Sequence, residues 1–210
     1  MKRLHRSLSQ SILGATAAEF AIVLPLFLIL LFGIIDGGRF LWEYNEAEKA
    51  TQVGVRMAVV TNVLSSGLES ADYTGETIDG VKIQPGGTIP AAALGTMVCT
   101  STGCTCDASK GAVAPCPDPG NFDSDTFNNV LLARMQQIDP AIKAENVVVR
   151  YSGSGLGFAS AGQMEISPLT TVTLTGMKFV PITSLLFAQI NIPDLSATLT
   201  SEDASGSYSN

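Results

Sequence analysis

The chain has 210 residues, 46% of them apolar and only 15% charged, whereas soluble domains usually carry charge on about a quarter of their residues. The apolar excess is concentrated in one stretch, which excludes a polytopic transporter and a plain cytosolic enzyme alike. The net charge is −7, and because Lys2, Arg3 and Arg6 all precede residue 15, the remainder carries a net charge of −10 and lacks the basic face that nucleic acid needs.

From Ala15 to Ile35 the apolar run is interrupted only by Thr16, Glu19, Pro25 and Gly33. As a helix rising about 1.5 Å per residue it spans roughly 31 Å, the thickness of a bilayer's hydrocarbon core. The basic cluster just before it predicts an N-terminus in the cytoplasm, with residues beyond about 40 outside. Gly33-Ile34-Ile35-Asp36-Gly37-Gly38-Arg39 matches a small-x-small cleavage site poorly, so the segment is expected to remain as an anchor, mildly kinked at Pro25. Glu19 stands out. An ionisable group in such a run costs several kcal/mol unless paired, which makes it a candidate functional residue; the plainer alternative places it at the interface, reaching into water.

Beyond Ile35, Phe40, Leu41, Tyr44, Ala47, Thr51, Val55, Ala58 and Val59 recur at the spacing of one helical face, which predicts a helix continuing to about Asn62. Gly37-Gly38 is a candidate bend, and a separate surface helix after that pair is the alternative. Residues 65–120 are rich in Gly, Pro, Ser, Thr and Ala and predict short strands around 76–84 and 93–99, a turn at Gln84-Pro85-Gly86-Gly87, and loop elsewhere. Ser124 or Asp125 can cap a helix carrying Phe127, Val130, Leu131, Met135 and Ile138 on one face, and Asp139-Pro140 ends it. Strands are predicted at 146–151, at 164–175 with a break at Pro168, and at 194–201. The class is α+β: a single N-terminal transmembrane helix, extended and packed on a small, mostly antiparallel β-sheet with one further helix.

Cys99, Cys104, Cys106 and Cys116 lie close together in the part placed outside the cytoplasm, an oxidising setting that predicts two disulfides. Bridging Cys104 to Cys106 would strain the geometry, so Cys99 is expected to pair with one of them and Cys116 with the other, pinning the loop 99–116. A zinc site is the alternative, although only the Cys99–Cys104 spacing approaches the usual ligand pair. Ser152-Gly153-Ser154-Gly155-Leu156-Gly157 superficially suggests a phosphate cradle, but it has the wrong glycine register and no helix pattern after it, and is expected to be a flexible loop. His5 is the only histidine and lies before the apolar run, so no nucleophile–base set is visible. Neither catalytic nor metal nor cofactor residues are expected.

Gly14-Ala15-Thr16-Ala17-Ala18-Glu19-Phe20, a glycine five residues before a glutamate behind a short basic leader, resembles the processing site of type IV prepilins. Its local form is similar to the TadE-like minor pseudopilins of tight-adherence (Tad) pilus systems. Phe32-Gly33-Ile34-Ile35-Asp36-Gly37-Gly38-Arg39, Gly54-Val55-Arg56-Met57-Ala58-Val59 and the closing Ile192–Asp203 stretch resemble further blocks of that family, with Asp36 where a glutamate is usual and Val55 where alanine is usual. The resemblance implies that a prepilin peptidase cuts Gly14–Ala15 and that Glu19, then fifth in the mature chain, docks subunits by pairing with a neighbour's new α-amine. It implies a leader at 1–14, a transmembrane helix at 15–35, its extracytoplasmic continuation at 36–64 as a pilin-like spine, an α+β domain at 65–203 and a tail at 204–210. It further implies a bacterial inner membrane location, with the prepilin peptidase, other pilin and pseudopilin subunits and the Tad assembly machinery as partners.

A different class competes with this reading: an uncleaved signal-anchored protein whose exported domain binds an envelope or surface ligand. An envelope hydrolase is weaker still, for want of a nucleophile and base.

Overall fold

Nothing between Lys2 and Val60 forces the backbone out of helical geometry, and in the computed structural model this whole stretch is one helix, α1 (Lys2–Val60). The structure describes residues 2–107, 116–160, 164–185 and 188–201, with the side chains of 2–15 and 185 outside that description. At about 1.5 Å per residue α1 is close to 90 Å long. It runs through Pro25 and Gly37-Gly38 without a break, so the separate surface helix is ruled out, and it ends at Val60 rather than Asn62. Every large apolar side chain from Phe20 to Ile35 is exposed.

The chain divides into two compact units, Met1–Glu43 with Lys178–Ile190, and Tyr44–Met177 with Asn191–Asn210. In the first, the strand β7 (Lys178–Phe179) pairs with β8 (Ile190–Asn191), and a 3₁₀ turn, Ile182–Leu185, lies between them. Phe179 is fully buried. The Phe40 ring meets it edge-on at 5.5 Å between centroids, and the Arg39 guanidinium sits 5.4 Å from its centroid.

The second unit opens on the amphipathic part of α1. Ala47, Ala50, Thr51, Val55 and Ala58 are all buried and follow the helical period, so this face forms part of the core. After it come a single-turn helix, α2 (Ser66–Glu69), and a small hairpin of β1 (Thr77–Ile78) and β2 (Val81–Lys82). The region 76–84 is therefore two strands rather than one. Asp79 and Gly80 make the turn, both at positive φ (50° and 78°), as a two-residue hairpin with right-handed strand twist requires.

The main sheet has five strands in the order β4-β3-β5-β6-β9, every neighbouring pair antiparallel: β3 (Thr96–Thr100), β4 (Gly103–Asp107), β5 (Val147–Ser152), β6 (Leu169–Leu174) and β9 (Leu195–Thr200). Alternate residues face the core: Met97 and Cys99, then Val147, Val149 and Tyr151, then Thr170, Val172 and Leu174. The opposite face is polar, with the Arg150 guanidinium donating to Thr173 Oγ1 at 3.0 Å and the hydroxyls of Thr171 and Thr198 bonded at 2.8 Å. The fold is thus α+β with a mostly antiparallel sheet, as expected. β4 falls where loop was expected.

The further helix is a π-helical run, Thr126–Leu132, continuing into α3 (Ala133–Gln136). Its cap is Asp123, not Ser124 or Asp125: Asp123 Oδ1 accepts the N–H groups of Asp125 at 3.1 Å and Thr126 at 2.9 Å. Phe127, Val130, Leu131 and Met135 are buried as the spacing predicts, and Ile138 is half-buried. The glycine-rich loop after β5, expected to be flexible, is hydrogen-bonded internally and to the segment before β6. Leu156 N–H donates to Ser154 Oγ at 2.9 Å, and Leu156 C=O accepts from Ser167 N–H at 2.9 Å.

Candidate functional site

Gly14 and Ala15 lie within the backbone of α1, and their side chains fall outside the described residues. Glu19 follows Ala15 by about one helical turn and is exposed. Around it the surface is apolar: Phe20, Ile22, Val23 and Leu26 are all exposed as well. Among the described residues the Glu19 carboxylate takes part in no hydrogen bond or ion pair. A carboxylate on a helix whose circumference is otherwise hydrocarbon must reach water at the interface or find a cation on another molecule.

α1 is long and apolar enough over this stretch to cross a membrane, by length and composition. Its large apolar side chains from Phe20 to Ile35 are left exposed by the described residues, the condition of a helix made for lipid or for other apolar helices.

Directly after this run comes Asp36, which the sequence marked only as a departure from a family pattern. It is 6% exposed, and its carboxylate collects three donors from the turn at 182–185: Ile182 N–H at 2.7 Å, Thr183 N–H at 3.0 Å and Thr183 hydroxyl at 2.8 Å. Burial alone pushes its carboxyl up, but those hydrogen bonds, with the Arg39 guanidinium at 3.5 Å, outweigh it and hold the carboxyl below its ordinary range. Asp36 thus caps a turn from a helix far away in sequence. No local signal announces such a partner, because a cap is recognised by its neighbours within three residues and this one lies more than a hundred residues on.

The cysteines resolve the choice left open by their spacing. Cys99 bonds to Cys104, its register partner across the β3–β4 hairpin, with Cα atoms 4.0 Å apart; Cys106 bonds to Cys116 with Cα atoms 5.9 Å apart. All four sulfurs are engaged, which removes the ligands the zinc alternative needed. β4 is an edge strand, and the two bridges tie it down.

Two buried groups stitch loops to this core. Glu165 accepts from Tyr73 N–H at 2.8 Å and also from Ser160 N–H. The Tyr151 hydroxyl oxygen accepts from Leu64 N–H at 3.2 Å, just past the end of α1.

A family model described as TadE-like protein matches residues 14–56, about a fifth of the chain. The match begins at Gly14 and contains Glu19, Asp36, Arg39 and Gly54, so the resemblance read from the N-terminal blocks is shown over that segment. The closing block, residues 192–203, lies outside the matched residues. No curated protein and no solved structure matches the chain.

Proposed function

We propose that this chain, a TadE-like protein by its residues 14–56, is a minor pseudopilin that a prepilin peptidase cuts after Gly14 and that assists assembly of a Tad pilus. The observation that carries the reading is Glu19, exposed and without a side-chain partner among the described residues, on an exposed apolar helix inside the TadE-like segment. Cleavage would leave an α-amine at Ala15, one turn from that carboxylate. In lipid an amine and a carboxylate that are each alone are strongly disfavoured, so the Glu19 of one subunit and the Ala15 amine of a neighbour favour one docking register. Ala15–Ile35 then sits in the bacterial inner membrane with the basic leader in the cytoplasm, and the disulfide-bonded unit lies in the oxidising compartment that its cysteines need. The role is assembly, not catalysis.

Co-expression with an active prepilin peptidase tests the processing half: the mature protein should begin at Ala15, and Gly14→Val should block the cut. Persistence of an intact Met1 beside an active peptidase would sink it. Glu19→Ala tests the docking half: the mature protein should still be made while piliation falls. Undiminished piliation would leave Glu19 as an interfacial residue only.

A further inference from the structure

Between Lys178 and Asp194 the sequence contains no charged residue, an interval second only to the membrane run in its apolar character. Within it Val180, Ile182 and Ile190 are about half exposed, although Phe179 beside them is buried against α1. A hairpin in water normally turns polar side chains outward, and this one presents branched aliphatics.

Its position explains them. Asp36 holds Ile182 and Thr183 by three hydrogen bonds of 2.7 to 3.0 Å, and Asp36 is the residue that follows Ile35, the last of the apolar run. The hairpin and this part of α1 belong to one compact unit. Leu41 and Trp42 are exposed in the same unit, Trp42 to 67%, about 10 Å beyond Ile35 along the helix axis. Lys178 is exposed at the base of the hairpin. A tryptophan, aliphatics and a nearby cation at the end of an apolar helix are the composition of a membrane–water interface.

We infer that the β7–β8 hairpin is a membrane-interface element through its described residues: Val180, Ile182 and Ile190 enter the boundary between headgroups and acyl chains at the outer end of the span, with Leu41 and Trp42 at the same surface. The occupant is lipid, because Asp36, the residue after Ile35, holds Ile182 and Thr183 and so fixes these exposed aliphatics at the level where α1 leaves the bilayer. Unit 1 is on this account an anchor of two elements rather than one helix. The inference rests on the proposal that Ala15–Ile35 spans the membrane.

The test uses the full chain in vesicles of phosphatidylcholine and phosphatidylglycerol. Trp42→Phe removes the single tryptophan, and Ile182→Trp, Leu28→Trp or Val81→Trp then supplies one reporter at an already exposed position. Ile182→Trp should emit blue-shifted and be quenched most by lipids brominated near the headgroup. Leu28→Trp should be quenched most by lipids brominated deep in the chains, and Val81→Trp by neither. Red-shifted, unquenched Ile182→Trp beside a quenched Leu28→Trp overturns the hairpin's placement and leaves the span standing. Blue-shifted but unquenched Ile182→Trp means that protein covers the hairpin, and overturns it equally. An unquenched Leu28→Trp removes the span itself.

Discussion

Asp36 and Thr183, 147 residues apart in sequence, are joined twice: the threonine's backbone N–H and its hydroxyl both donate to Oδ2 of the aspartate, at 3.0 and 2.8 Å. Asp36→Ala would orphan two backbone N–H groups in a nearly buried setting, at a cost of about 1–3 kcal/mol. The loss should be local to the hairpin, so tryptic cleavage after Lys178 should accelerate while the five-stranded sheet keeps its amide protection. Because the folded carboxyl titrates below its ordinary value of 3.8, its stabilisation is complete above that pH and is lost as the pH falls through the lower folded value. Acid should therefore loosen the hairpin of the wild-type chain as Asp36→Ala does at neutral pH, read as loss of protection of the Ile182 and Thr183 amides relative to their intrinsic exchange rates. Equal cleavage of both proteins at neutral pH would show that the clamp holds nothing.

At Gly54 the helix α1 lies close against Met135 of α3. A Cβ there would lie 2.8 Å from Met135 Sδ and 3.1 Å from its Cγ, and Met135 is fully buried. Two effects oppose each other in Gly54→Ala. Helix propensity gains about 1 kcal/mol, and the clash with a flexible but enclosed thioether costs a similar amount, so the net change should be within about 1 kcal/mol of zero. Gly54→Leu has no such compensation and should lose about 1–3 kcal/mol, seen as a lowered unfolding midpoint of the full chain in detergent. An unchanged midpoint for Gly54→Leu would mean that the helices do not meet there.

What the sequence revealed, and what it hid, follows from the range of the interactions. The long helix, the buried faces of Ala47–Ala58 and Phe127–Met135 and the strands at β5, β6 and β9 were legible because each rests on periodicity within one segment. Glu19 is conspicuous as one charge in an apolar run, and the structure leaves it exposed there. The β1–β2 hairpin carried its own signal, Asp79-Gly80, yet the strands are too short to show alternation and read as one. β4 was hidden by its composition, Gly103-Cys104-Thr105-Cys106-Asp107, which reads as loop; register with β3 and the Cys99–Cys104 bridge make it a strand. The clamp at Asp36 was hidden altogether, since its partners are backbone groups that any residue possesses.

The two disulfides should not be equivalent. Loop entropy favours Cys106–Cys116, whose ends are 10 residues apart against 5 for Cys99–Cys104, and gives each about 2–3 kcal/mol. Burial reverses the order. Cys99 is fully buried within the sheet's core face, so Cys99→Ala with Cys104→Ala leaves a void in addition to freeing β4, whereas Cys106 is only half-buried. The Cys99/Cys104 double variant should thus unfold at the lower denaturant concentration, and mild reductant should open Cys106–Cys116 first, as read by alkylation and mass spectrometry. The opposite order in both measurements would make loop length the controlling term.

Two buried tyrosines should respond to loss of their hydroxyls with opposite signs. Tyr151 accepts the Leu64 N–H at 3.2 Å, so Tyr151→Phe leaves a buried donor unpaired and should cost about 1–3 kcal/mol. The Tyr73 hydroxyl is buried and has no hydrogen-bond partner among the described residues, so Tyr73→Phe should be neutral or stabilising by up to about 1 kcal/mol at neutral pH. Burial, with the nearby negative charge of Glu165, pushes the Tyr73 phenol up to about 12 from its ordinary 10.0. The neutral phenol is therefore favoured by folding: the contribution is complete below about pH 10 and is lost as the pH rises through the folded value, on the order of 2–3 kcal/mol in all. Denaturant midpoints measured from pH 8 to about 12 should fall less steeply for Tyr73→Phe than for the wild-type chain. Parallel curves for the two proteins would show that another group, with Tyr151 first in line, controls the alkaline limb.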